Sequence, residues 1–120
     1  VAEAERLICR AEDLPEAGAG VRFEVERQGR MEPAFVVRWR GEARAYLNRC
    51  GHVPVELDYQ PGQFFDYANR YLICATHGAL YDPVSGACMG GRCNGVGLVP
   101  IAVVERGGGV YLADTSKETA

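Results

Sequence analysis

The stretch "ICATHGALYDP", residues 73–83, sets the reading of this chain, together with "RCGHV" at 49–53. Both histidines of the chain fall in these two segments, each beside a cysteine: Cys50-x-His52 and Cys74-x-x-His77. A gap of one or two residues in a tight turn can aim both side chains out of one loop tip. Val53 to Ile73 leave room for a short excursion and a return strand that brings the second loop beside the first. Two loops that each offer a thiolate and an imidazole make a four-ligand metal site.

Three readings compete for these residues. Structural zinc accepts two Cys and two His, but the zinc-finger pattern pairs like ligands and carries its histidines on a helix. Core histidines and buried cysteines with no common role would explain one such pair better than two. A [2Fe-2S] cluster with one iron held by cysteines and the other by histidines accounts for the mixed pairing in both loops.

The surroundings of the pairs are β-type. Val21, Phe23 and Val25 alternate with charged residues, and Phe35, Val37 and Trp39 alternate with Val36, Arg38 and Arg40, a period of two. Arg40-Gly41-Glu42 reads as a turn, with Ala43 to Asn48 returning as a strand. Leu98 to Val104 and Val110 to Leu112 flank "ERGGG" as a second hairpin. Tyr71 to Cys74 and Ala79 to Tyr81 are short strands on either side of the second pair, and "DPVSG" at 82–86 is turn chemistry. Helix is confined to a turn or so in "AEAER" near the start and "PVELD" at 54–58. With 15 glycines in 120 residues, against a usual ~7%, many turns and short strands are expected. The predicted class is all-β, one domain over residues 1–120.

Composition removes several functions. The net charge of -3 and a pI near 5.4 lack the basic face of a nucleic-acid binder. No apolar run approaches the ~20 residues of a membrane span, and "VAEAERLICRAEDLP" does not read as a signal peptide. Five cysteines do not suit a secreted disulfide framework. These features predict a cytoplasmic protein with no membrane and no nucleic-acid partner.

"AYLNRCGH" (45–52) followed by "ICATHGALYDPVSGACMGGRCNGVGLVPI" (73–101) resembles the Rieske iron-sulfur proteins, and the resemblance runs from about Leu7 to Leu112. It implies an antiparallel β-sandwich base formed by both ends of the chain, with a small cluster-binding subdomain inserted at about 45–95. It implies one Rieske-type [2Fe-2S] cluster, with Cys50 and Cys74 on one iron and His52 and His77 on the other through Nδ1. Gly78 follows the second histidine, where a side chain would crowd the loop. Tyr81 matches the position whose hydroxyl donates to a ligand cysteine sulfur in high-potential members, although a half-buried strand tyrosine would read the same way.

The departures from the family pattern are also informative. Ala79 stands where a serine hydroxyl would reach a bridging sulfide. Val55 and Thr76 stand where the cytochrome-complex members carry a disulfide between the loops. "GGRCNG" at 90–95 lacks the usual prolines, and Gly51 replaces a proline. They point to a lower-potential carrier, in the lower half of the roughly -150 to +300 mV that Rieske centres span.

The implied role is a one-electron carrier, not itself an enzyme. It would take electrons from a flavin-type or other reductase and pass them to a terminal oxygenase. The alternatives are a tightly bound electron-transfer subunit of a larger oxidoreductase and a redox-sensing module. Cys88 and Cys93 could pair or remain thiols; their spacing resembles that of plant-type ferredoxins, but using Cys50 and Cys74 to complete such a site would leave both histidines unexplained. Cys9 is expected in a strand core, and Phe23, Phe35, Trp39, Phe64 and Phe65 in the core generally.

Overall fold

The computed structural model describes residues 6–49, 56–58, 60, 62–66, 68–75, 78–91 and 95–113. The strands are β1 (Arg6–Arg10), β2 (Val21–Arg27), β3 (Arg30–Trp39), β4 (Glu42–Leu47), β5 (Leu72–Ile73), β6 (Leu80–Tyr81), β7 (Cys88–Gly90), β8 (Pro100–Ile101), β9 (Val103–Arg106) and β10 (Gly109–Leu112). They form three antiparallel sheets, in the orders β1-β10-β9, β2-β3-β4-β8 and β5-β6-β7. The all-β expectation holds, and both ends of the chain contribute to the base as expected.

Alternation along β2 is as predicted: Val21, Phe23 and Val25 are each more buried than their charged neighbours Arg22 and Glu24 or lie in the core outright. Strand β3 departs from it. Phe35, Val36 and Val37 are all fully buried. The reason is layering. Phe35 and Val37 pack with Tyr46, Leu57, Phe64, Leu72 and Tyr81 on one face, while Val36 packs with Cys9, Leu14, Ala45 and Val110 on the other. A strand covered on both faces has no reason to alternate. The Cys9 thiol lies in this second core, as expected, and burial, with Asp13 next, pushes its pKa up.

The β3–β4 connection is a two-residue turn, Arg40-Gly41, with φ of 53° and 80°. This positive-φ pair matches the right-handed twist of the hairpin strands. Glu42 is already in the strand, opposite Trp39. Trp39 is only partly buried and stacks on Phe65 at 5.8 Å between ring centroids, with the Arg40 guanidinium 5.6 Å from its ring.

Two expectations are corrected. The run from Leu98 to Val104 is not one strand. Pro100–Ile101 pairs with β4, while Val103–Arg106 pairs with β10, so the chain changes sheets at Ala102. Pro100 cannot donate to a ladder, which confines it to a sheet edge, and β8 is an edge strand. The predicted helical turns are also not found where described. Arg6 of "AEAER" opens β1, with 2–5 outside the described residues. Glu56–Asp58 is not helical, with 54–55 outside them. The helix among the described residues is a single 3-10 turn, Ala11–Asp13, where the Asp13 carboxylate accepts the Arg10 amide at 3.0 Å. No helix among the described residues is long and apolar enough to cross a membrane.

Arg38 ties the two base sheets together. Its guanidinium donates to both oxygens of Glu105 on β9, at 3.0 and 2.8 Å, and to the carbonyls of Leu14 and Ala11. The hydrogen bond from Arg38 lowers the Glu105 pKa and raises that of Arg38. Because the folded-state pKa of Glu105 is depressed, its contribution is present above the unfolded value near ~4.3 and is lost as pH falls through the lower folded value. Glu105→Gln is therefore expected to cost about 1 kcal/mol or less at neutral pH, as suits a partly exposed pair. The gap from the unsubstituted protein should stay constant above about pH 5.5 and close below about pH 4, as read from urea midpoints across pH.

Candidate metal centre

The two cysteine–histidine loops leave the fold at adjacent points of the inner core. The first departs from the end of β4. Asn48 is buried there, and its amide donates to the Pro33 carbonyl at 2.9 Å. The chain re-enters at Glu56–Asp58, with Leu57 fully buried in the core around Phe35 and Phe64. Those two rings stack at 4.0 Å between centroids. Cys50, His52 and His77, three of the four predicted ligands, lie outside the described residues, as do Val55, Thr76 and Cys93.

Cys74, the fourth, directly follows β5 and is fully buried. Its amide donates to the Ala79 carbonyl at 2.9 Å, and the Gly78 amide donates back to the Cys74 carbonyl at 2.8 Å. These two bonds close the segment 74–79 into one tight loop between β5 and β6. Gly78 sits at φ 76°, and a Cβ there would meet nothing within 4 Å among the described residues. The left-handed backbone by itself calls for glycine here. Ala79 and Tyr81 are fully buried, so Tyr81 is not the half-buried strand tyrosine offered as an alternative.

A third segment lies against this loop. Gly91 has φ 81°, and a Cβ on it would stand 2.8 Å from the Gly78 carbonyl oxygen and 2.9 Å from the Ala79 Cα. Backbone therefore packs on backbone here. The adjacent glycines at 90 and 91 were the signal for this contact. Cys88, on β7, packs against the inner core and is disulfide-bonded.

Two side chains, one from the end of β4 and one from the residue just past it, grip the loop region. The Tyr46 hydroxyl donates to the Pro83 carbonyl at 2.7 Å. Burial pushes its pKa up to about 12, opposed by the Arg44 charge and aided to a lesser degree by Asp82, so it remains a donor. The turn it holds is built by Asp82, whose carboxylate accepts the Val84 amide at 3.0 Å and the Ser85 hydroxyl at 3.1 Å, while the Gly86 amide donates to the Asp82 carbonyl at 2.7 Å. This is the turn expected of "DPVSG". Asn48 is the second grip, and it was not singled out from sequence. Its Oδ1 accepts the Leu57 amide at 2.8 Å and its Nδ2 donates to Asp58 at 2.9 Å. A polar residue directly after the apolar end of β4, Ala45 to Leu47, and two positions before a predicted ligand cysteine, was the available signal.

Comparison with known proteins agrees with this architecture. The ferredoxin of carbazole 1,9a-dioxygenase from Nocardioides aromaticivorans IC177 is similar over 92% of this chain and 97% of its own, with a TM-score of 0.70 and 21% identity. A complex of reduced oxygenase and oxidized ferredoxin in carbazole 1,9a-dioxygenase contains a chain similar over 92% of this one and 94% of its own, with a TM-score of 0.70 and 23% identity. The terminal oxygenase of carbazole 1,9a-dioxygenase from the same Nocardioides strain matches 92% of this chain over 30% of its own length, with a TM-score of 0.68 and 20% identity. These likenesses establish the fold. No curated protein sequence matches the chain. The model of the Rieske [2Fe-2S] domain matches residues 5–105, most of the chain, so this protein belongs to the Rieske [2Fe-2S] domain family and carries one cluster of that type.

Proposed function

We propose that this chain is a one-electron carrier, not itself an enzyme, that delivers electrons to a terminal oxygenase. The observation that carries the reading is the family match over residues 5–105, joined to whole-chain likeness with ferredoxins of oxygenase systems. Cys50 and Cys74 hold one iron and His52 and His77 the other, within a cluster-binding part spanning about 45–95. The donor set fits such a group on what surrounds Cys74: a buried thiol in a loop closed by two backbone hydrogen bonds, where solvent is kept from the sulfur. The cluster supplies the capacity to accept and release one electron. The chain supplies the burial of Cys74, the left-handed turn at Gly78 and the backbone cover from Gly91. The electron donor is a flavin-type or other reductase, and the setting is the cytoplasm.

Both histidines are used by the cluster. None of the histidines in these 120 residues remains for a mononuclear iron site of two histidines and a carboxylate, and this reading assigns oxygen activation to the partner. A second reading, a subunit held permanently by a larger oxidoreductase, draws support from the likeness to part of an oxygenase chain. The test mixes the reduced protein anaerobically with an oxidised Rieske oxygenase, alongside gel filtration of the pair. Electron transfer without co-elution supports the carrier, stable co-elution supports the subunit, and no transfer overturns both. His77→Ala should lose iron and sulfide together with transfer, because metal binding contributes to folding free energy.

On this reading the Tyr81 hydroxyl would donate to a ligand cysteine sulfur and favour the reduced, more negative state, while Ala79 supplies no hydroxyl. Tyr81→Phe should therefore lower the reduction potential by tens of millivolts, about 59 mV standing for a tenfold change in a one-electron equilibrium. Protein-film voltammetry is the measurement. An unchanged potential with an intact cluster would leave Tyr81 a packing residue.

A further inference from the structure

Asn48 and Asp58 are the buried polar or charged residues among those described. The Asp58 side chain is wholly inaccessible, with the Arg22 Nε 3.5 Å from one carboxylate oxygen. Its other partners are the Asn48 amide at 2.9 Å and the Gly62 backbone amide at 2.9 Å. Leu57, held by Asn48 Oδ1, in turn accepts the Ala75 amide on its carbonyl at 2.9 Å. Gly62 accepts the Gly20 amide at 2.9 Å, which joins the cluster to the entry of β2.

The placement of these bonds in the chain is what gives them a role. Asn48 lies two residues before Cys50, Leu57 and Asp58 stand where the first loop returns, and Ala75 directly follows Cys74. One continuous set of buried hydrogen bonds thus connects the departure of the first loop, its return and the exit of the second. Apolar side chains of the same volume would fill this space with at least equal stability, since a buried ion pair is often no better than a hydrophobic substitute. They could not hold the Leu57 and Gly62 amides at set positions. Arg22 also pairs with Glu56 at 2.5 Å, fastening the same return segment from the surface side.

We propose that Asn48, supported by Asp58, is a positioning bracket that sets the separation of the two ligand loops and, through it, the electronic environment of the cluster. The inference rests on the reading of Cys50, His52, Cys74 and His77 as the ligands.

The test compares the cluster-loaded protein with its Asn48→Ala and Asp58→Asn variants. Hydrogen exchange is followed by mass spectrometry in peptides covering Leu57, Ala75 and, as reference, Ala34 to Val37 of β3. Asn48→Ala should speed exchange at Leu57 by about tenfold to a hundredfold, the range for a buried amide left without its acceptor, speed it also at Ala75, whose amide depends on the Leu57 carbonyl staying in place, and leave β3 unchanged. The reduced-state paramagnetic resonance spectrum should shift or broaden, and the potential should move. Asp58→Asn should do the same to a smaller degree, because it keeps the shape while turning one acceptor into a donor and removing the charge that faces Arg22; it decides the matter if Asn48→Ala does not fold. Equal acceleration in the loops and in β3, or loosened loops with an unchanged spectrum and potential, would show that Asn48 contributes only general stability and would overturn the bracket. Iron and sulfide content of the unsubstituted protein checks the ligand reading separately. Its absence would remove the ligand set, whereas normal content with uniform exchange would remove the bracket alone.

Discussion

The burial of β3 on both faces is the constraint from which the rest of the architecture follows. Phe35 and Val37 look toward the loop-bearing core and Val36 toward the base core, all without solvent exposure. Neither core could be completed by the central sheet alone. The β1-β10-β9 sheet is needed on one side, and the small β5-β6-β7 sheet with the Leu57 and Phe64 segments on the other. The loops that bear the predicted ligands are therefore rooted in the packed interior. Burying Phe35, Phe64 and Tyr81 contributes on the order of 2–3 kcal/mol each, and the same contacts that stabilise the chain fix the points from which the candidate ligand loops depart.

This arrangement explains which parts were legible from sequence. Strand β2 has one exposed face, so its charged and apolar residues alternate visibly. Strand β3 has none, and period-two reasoning assigned Val36 to the wrong environment. The break between β8 and β9 was concealed because Leu98 to Val104 is apolar throughout. What divides it is a change of pairing partner at Ala102, which leaves little trace in residue type. The hairpin turn at Arg40-Gly41 was legible because a turn with positive φ at both positions restricts residue choice sharply.

The sequence offers candidate ligands for the site and conceals the residues that support their loops. Paired cysteines and histidines have few competing explanations, so their spacing carries information. Asn48, Asp58 and Tyr46 are ordinary residues whose significance comes only from partners distant in the chain, such as Pro83 for Tyr46. Gly78 drew notice from sequence for a steric reason, and the structure adds a second one, its left-handed backbone angle. Gly91 shows the converse case, since its lack of a side chain admits the Gly78–Ala79 backbone to close range.

The pairing of β1 with β10 brings Arg6 opposite Leu112. Almost the whole described chain lies between these partners, so the base sheet cannot be completed until the last strand has left the ribosome. At roughly 5–20 residues per second of synthesis, the β2–β3–β4 meander, whose contacts are local, has seconds in which to form first. Non-local closure of this kind is slow relative to hairpin formation. During that interval β4 already presents Tyr46 and Asn48, while the outer face of Val36 and Ala45 still awaits Cys9 and Val110. Biogenesis of the iron-sulfur protein thus has an ordered course. The platform for the ligand loops is assembled early, and the seam between the first and last strands is the step that commits the polypeptide to its finished form.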